Sequence, residues 1–205
     1  AEEGGAGARG MCEDGALENP RPQVIFGLHC WPFLPIGTIG VREGSVMAST
    51  DAIDMEIHGR ACHAAMPQKG VDAVVAASHV VVALQSVVAR MTDPIQPGVV
   101  TIGSMHGGSV RNAIAGKVSL RGTIRAISPE KREQLRQAVR QIAVQTAQAY
   151  GAVAEVDLVP GYPVTVNDRR AADFVLRVGR DLLGDERVTT DLPVSMGGED
   201  FAFYQ

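Results

Sequence analysis

Three stretches of this 205-residue chain carry residue types able to do chemistry. The first is a polar run bounded by glycines, Gly59-Arg60-Ala61-Cys62-His63-Ala64-Ala65-Met66-Pro67-Gln68-Lys69-Gly70-Val71-Asp72. It joins an alternating segment to a long apolar one. A turn of roughly two to four residues would suffice for that link, so a longer loop displaying a single imidazole reads as functional. The plain alternative for His63 is a solvated loop residue, since loops are surface features. The second is His29, which closes the short apolar run Val24-Ile25-Phe26-Gly27-Leu28-His29. That run has the pattern of a buried parallel strand, and strand ends are where α/β sheets place ligands. A core histidine satisfied by one backbone partner is the alternative there. The third is the pair Glu2-Glu3, directly ahead of a helical pattern, where the helix dipole alone would account for two acids.

Composition narrows the partners. The chain is 45% hydrophobic and 20% charged, ordinary for a globular protein large enough to bury a core. A formal net charge of -4 gives no basic face for nucleic acid or anionic membrane, which leaves a small molecule as the expected partner. No apolar run is read as a membrane span. Cys12, Cys30 and Cys62 make an odd count with no paired spacing, so reduced thiols and a cytoplasmic setting are expected rather than a disulfide framework.

The elements that must position these residues follow from periodicity. Ala6 to Leu17 has helical character and stops at Glu18-Asn19-Pro20-Arg21-Pro22. Ile53, Met55 and Ile57 alternate with Asp54, Glu56 and His58, giving a half-buried strand with His58 on its wet side. Val71 to Met91 is nearly free of charge and predicts a helix buried over much of its circumference. Val99 to Met105 and Lys117 to Ala126 read as strands, with Arg121 and Arg125 sharing a wet face. Ser128-Pro129-Glu130 starts a helix with Ser as N-cap, Leu135, Ala138, Val139, Ile142, Thr146 and Ala149 form its stripe, and Gly151 ends it. Ala154, Val156 and Leu158 alternate in a last strand.

Strand, helix, strand, strand, helix, strand is the split βαβ or ferredoxin-like order, placed at residues 48–162 as an inserted domain. Residues 1–47 and 163–205 then belong together in a second domain, with an amphipathic helix over Arg170 to Leu183 and a polar loop Ser195-Met196-Gly197-Gly198-Glu199-Asp200 near the end. Glu199-Asp200 caps the following element or faces a metal. The opening and the close both read as cut from something longer.

Taken in order, Glu2-Glu3-Gly4, Gly27-Leu28-His29 with Trp31-Pro32, His63-Ala64-Ala65-Met66-Pro67, Gly107-Gly108 with Asn112, Gly122-Thr123-Ile124-Arg125 and Met196-Gly197-Gly198-Glu199-Asp200-Phe201 resemble the M20 metallopeptidases. The likeness is strongest to the amidohydrolase branch that includes hippurate hydrolases, N-acyl-amino-acid amidohydrolases and indole-acetyl-amino-acid hydrolases. The resemblance implies an α/β architecture: a two-metal, aminopeptidase-like catalytic domain, partial here, interrupted by a ferredoxin-like βαββαβ lid that dimerises. It implies metal-dependent hydrolysis of the amide bond of N-acyl amino acids, with two divalent ions per site drawn from Zn, Mn, Co or Ni.

By the same resemblance Glu2 is the general base that activates a metal-bound water, Glu3 is a metal ligand, and His29 ligates the second metal. His63 reaches across the dimer to stabilise the oxyanion of the tetrahedral intermediate. Asn112 approaches substrate, and Arg125 binds the substrate carboxylate, which a guanidinium grips with two parallel hydrogen bonds. Departures from the family pattern are Cys62 in place of a usual Gly, and Arg111 and Ala115 beside Asn112. Family members also carry metal ligands upstream of the paired acids and downstream of the last residue, so the 205-residue chain alone is expected to be inactive. The alternative is a non-catalytic remnant acting as a dimerisation module.

Overall fold

A computed structural model describes residues 7–205. They separate into two compact units: Thr50–Gly161, and the residues up to Ser49 together with Tyr162–Gln205.

In the central unit the alternation of β3 (Ser49–His58) decides the layering. Ile53, Met55 and Ile57 are buried on one side while Ala52 and Asp54 are exposed on the other. Two short helpers follow, β4 (Cys62–His63) and a 3-10 turn at Pro67–Lys69. The chain then runs through α2 (Ala73–Met91), β5 (Gly98–Gly107), β6 (Ala113–Ile114), β7 (Lys117–Ala126), α3 (Pro129–Ala149) and β8 (Val153–Pro160). The four long strands order as β5-β7-β3-β8, with β3–β8 and β5–β7 antiparallel. Ile53, Met55, Ile57, Leu120 and Ile124 of the sheet share one buried cluster with Val80, Leu84, Leu135 and Val139 of the helices.

Local signals explain both helices. Asp72 Oδ1 accepts the Val74 and Val75 backbone N–H groups at 2.9 and 3.2 Å, capping α2. Ser128 Oγ accepts Lys131 N–H at 3.1 Å with Pro129 at the first helical position, and Gly151 takes φ +74° beyond the end of α3. The α2 expectation needs two corrections. Only the stripe Ala73, Ala76, Ala77, Val80, Leu84 and Val87 is buried, while Val82 is 69% exposed, because α2 packs on this sheet from one side. By length and composition α2 is also long and apolar enough to cross a membrane, contrary to the reading that no run is. In α3 the buried line is Leu135, Val139, Ala143 and Ala147, shifted from the expected stripe so that Ala149 is exposed.

Asp51 has the parity of Ile53 and Met55 and so faces the helix layer, fully buried at the side chain. Arg132 binds it through Nε and Nη2 at 2.9 and 2.8 Å, and Arg136 Nη1 adds a third bond at 2.8 Å. Both guanidinium groups donate onward, to the carbonyls of Thr50 and Leu158. A charge without water is thereby paired and hydrogen-bonded, the condition under which it can be buried.

The opposite sheet face is charged. Lys117 Nζ lies 2.6 Å from Glu56 Oε1, and Arg121 Nε lies 3.4 Å from Asp54. The Lys117 hydrogen bond, helped by His58, holds the Glu56 carboxyl below its usual range. A depressed carboxyl pKa favours the folded state above the unfolded value and loses that contribution as pH falls through the folded one. Lys117→Met is therefore expected to raise the Glu56 pKa, read by NMR titration of its side-chain carboxyl. An unchanged titration would show that Lys117 is not the cause. His58, expected in solvent, is instead only partly exposed, with Nε2 3.4 Å from both Glu56 and Glu155. The cross-strand register, Glu56 opposite Glu155, closes the two acids around it.

The other unit contains α1 (Gly7–Glu13), β1 (Ile39–Gly40), β2 (Gly44–Met47), β9 (Thr165–Asn167), α4 (Arg169–Leu183) and β10 (Val188–Thr189). β1 pairs with β10 in parallel and β2 with β9 antiparallel. Asp168 Oδ1 caps α4 through Ala171 N–H at 3.0 Å. A 3-10 turn spans Asp200–Tyr204. The run Val24–His29 is not a strand: Leu28 is 93% and Phe26 54% exposed. A strand exists only by pairing, and none of the described strands pairs with this segment. Phe26 contacts Phe174 of α4 instead, ring centroids 6.0 Å apart.

Candidate active-site segments

The loop that carries His63 is closed on itself. Arg60 and Val71 exchange both backbone hydrogen bonds at 2.9 Å, and Arg60 Nε donates to Lys69 O at 2.9 Å. Gly59 N–H reaches Gly116 O at 2.8 Å, which ties the loop to the stretch between β6 and β7. Two glycines make this possible. A Cβ on Gly59 would sit inside van der Waals contact of the Val71 carbonyl, and one on Gly70 would lie 2.6 Å from Cys62 Sγ and 2.8 Å from Arg60 O. Gly59→Ala is expected to open the Arg60–Val71 bridge, seen as faster amide hydrogen exchange across residues 59–72. Wild-type protection there would show that the loop adjusts without cost.

His63 pairs with Ala113 across the short β4–β6 ladder, and Cys62 with Ile114. Cys62 thus sits in extended backbone, which needs no glycine, and its departure from the family pattern leaves the ladder intact. The imidazole is exposed, and its Nδ1 accepts the Ala65 N–H at 3.1 Å. An accepting Nδ1 places the proton of the neutral ring on Nε2, so the free edge of His63 is a donor. Ala64 N–H donates to the Asn112 carbonyl at 3.0 Å, so the fold brings Asn112 and His63 together. A shallow cavity of about 320 Å³ lies beside them, lined by Ala61, Ser109, Ala113, Gly116 and Lys117.

Arg125 is not part of that group within the unit. It lies in β7 opposite Val99, eight residues past Lys117, or about 26 Å along a strand. Glu2 and Glu3 lie outside the described residues. His106 is the penultimate residue of β5, opposite Ser119, and His79 stacks on Tyr150 with centroids 4.4 Å apart, a packing role.

In the other unit His29 is held by its own backbone. Nδ1 lies 2.9 Å from the Cys30 carbonyl, and since a carbonyl only accepts, Nδ1 carries the proton. In the neutral ring Nε2 then keeps its lone pair, the tautomer a metal-binding imidazole requires. Glu199 Oε2 lies 3.7 Å from it. Glu199 Oε1 accepts Phe201 N–H at 3.2 Å, so the expected cap is real, and Asp200 Oδ2 accepts Ala8 N–H of α1 at 3.0 Å. Sequence alone offered no signal for a link between residues separated by 170 or more positions. Cys12, Cys30 and Cys62 are free thiols.

The M20 peptidase dimerisation domain matches residues 50–151, the whole of the four-stranded unit but its last strand. The full chain is 42% identical over 209 residues to IAA-amino acid hydrolase ILR1-like 5 of Arabidopsis thaliana, covering 100% of this chain and 47% of that protein. The chain belongs to the M20 peptidase family. It is also 37% identical over 205 residues to N-acetyl-L-cysteine deacetylase of Bacillus subtilis, again covering 100% of this chain and 48% of the other. Among solved structures, a dinuclear metal binding M20 peptidase from Bacillus subtilis superposes with a TM-score of 0.82 at 34% identity, covering 100% of this chain and 50% of that one. The chain thus spans about half the length of the M20 relatives it matches.

Among the described residues of this M20 chain, ligand atoms of Glu56, His58 and Glu155, one from each, also lie within 4.8 Å of one another. Lys117 already serves Glu56 as counter-ion, and the group sits on the open charged face of the sheet. It reads as a surface charge network.

Proposed function

We propose that this chain contributes to a metal-dependent amidohydrolase acting on N-acyl amino acids, through segments that bind a divalent ion and segments that meet the acyl substrate. The observation that carries the reading is the His29 tautomer, with Nδ1 spent on Cys30 O and Nε2 free for a cation. The names of the relatives, an IAA-amino acid hydrolase and an N-acetyl-L-cysteine deacetylase, point to the same substrate class.

His29 and Glu3 would hold the ions, either Zn, Mn, Co or Ni, two per site. When bound, such an ion lowers the pKa of a coordinated water from about 15.7 toward about 7. Glu2, a carboxylate not spent on coordination, takes the proton of the attacking water and passes it to the leaving amine. The Nε2–H edge of His63 donates to the carbonyl oxygen as it gains charge, Asn112 flanks it, and Arg125 binds the substrate carboxylate in a bidentate pair. Arg125 lies eight residues along β7 from Lys117, which lines the cavity beside Ala113, the strand partner of His63, so Arg125 and His63 would serve one site through a homodimer that brings two copies together.

An enzyme preparation containing this chain is expected to release free amino acid from N-acetyl or indole-3-acetyl amino acids, to lose that activity on chelation, and to regain it with divalent ions. Hydrolysis that persists after exhaustive chelation would sink the reading. A second reading, a non-catalytic dimerisation module, is favoured by the match of residues 50–151 to a domain described by dimerisation alone. It predicts stable self-association with no metal-dependent turnover.

A further inference from the structure

We infer that Glu199 belongs to the metal centre, as a carboxylate that shares one divalent cation with His29. The inference rests on the proposed role of His29 as a ligand and adds a residue to it.

Nδ1 of His29 is bonded to Cys30 O, so in the neutral ring the lone pair is on Nε2. What faces it is Glu199 Oε2, at 3.7 Å. Two acceptors opposed in this way repel unless a cation or a proton lies between them. The distance is too long for a direct N–H···O bond, which falls near 2.7–3.2 Å. It suits two atoms that each ligate the same ion at about 2.0–2.2 Å.

Glu199 is also built to stay there. Its side chain is 17% exposed, and Oε1 is anchored by Phe201 N–H, which leaves Oε2 as the oxygen turned to His29. Capping and metal binding are thus not competing roles; one carboxylate has an oxygen for each. Its neighbour Asp200 accepts Ala8 N–H, fixing the 3-10 turn to the first turn of α1, the helix that the Glu2-Glu3 pair precedes in sequence. Consecutive acids therefore take separate partners: Glu199 faces His29, and Asp200 is a positioning residue for α1. Free thiol Cys12 reinforces the same junction by donating to Phe203 O at 3.4 Å.

The test is Zn²⁺ titration of the purified chain by isothermal calorimetry, beside Glu199→Gln, His29→Ala and Asp200→Asn, with thermal melting of each metal-free protein. Gln retains a carbonyl oxygen for Phe201 N–H, so Glu199→Gln removes the charge while keeping the cap. Expected are Zn²⁺ binding by the wild type, a loss of about 10–100-fold or more in affinity for Glu199→Gln with an unchanged metal-free melt, and a comparable loss for His29→Ala. Binding lost in His29→Ala but intact in Glu199→Gln would overturn the inference and leave His29 standing as a ligand. Binding intact in both variants, or absent from the wild type, would overturn the role of both. A Glu199→Gln variant that melts earlier without metal yet binds Zn²⁺ normally would make the pair a plain imidazolium–carboxylate contact and also overturn it.

Discussion

Asp51→Ala is expected to destabilise the central unit by about 3–5 kcal/mol, the cost of breaking a buried ion pair by removing one partner. Three hydrogen bonds from Arg132 and Arg136 converge on this one carboxylate, whose side chain is wholly buried, while the two guanidinium groups remain about one-fifth exposed. The loss falls on the arginines left facing an apolar layer. Arg136→Leu should cost less, since Arg132 keeps its bidentate grip, and the two changes should not add because they share a partner. Urea denaturation followed by circular dichroism measures both. A change below about 1 kcal/mol for Asp51→Ala would place this pair with ordinary surface ion pairs.

His63→Ala in an active enzyme containing this chain is expected to lower kcat about 10²–10³-fold with little change in KM, corresponding to about 2.7–4 kcal/mol of transition-state stabilisation. The basis is the donor edge at Nε2, set by the Ala65 N–H that occupies Nδ1. The side chain is exposed and the hydrogen bond it accepts is local, from Ala65 N–H, so the fold should survive the change and the melting temperature should hold. Mixing inactive Glu2→Ala and His63→Ala proteins tests whether the site is shared between copies. Heterodimers that regain activity would place His63 of one copy at the Glu2 of another. No recovery despite demonstrated subunit exchange would return His63 to a solvated loop residue.

The long elements of the central unit were legible because their causes are local. A period of two in Ile53, Met55 and Ile57 names a strand face, and Ser128-Pro129 and Gly151 name the ends of α3 through bonds to residues three positions away, whereas the Asp72 cap, which starts α2 two residues after its apolar pattern begins, went unread. The amphipathic helix α4 was legible for the same reason, starting one residue earlier than its periodicity suggested. The loop at His63 was legible as overlong, but not as a closed bridge, since the Arg60–Val71 exchange depends on a turn geometry that residue types alone leave open.

What failed or went unseen was non-local. Val24–His29 has a strand's composition, yet a strand needs a neighbour, and composition says nothing about whether one arrives. Asp51 sits in an alternating pattern as one more polar residue; its burial depends on two arginines more than eighty positions away. Pattern and propensity, acting over one or two turns, determined by themselves the long strands and helices of the central unit, the Ser128 cap and the motifs that mark this protein's family. Tertiary structure alone decided which carboxylates met which cations or imidazoles: Asp51 with Arg132 and Arg136, and Glu199 with His29. Such pairings are worth their energy only where the chain's long-range packing removes water and fixes distance, and no local rule carries that information.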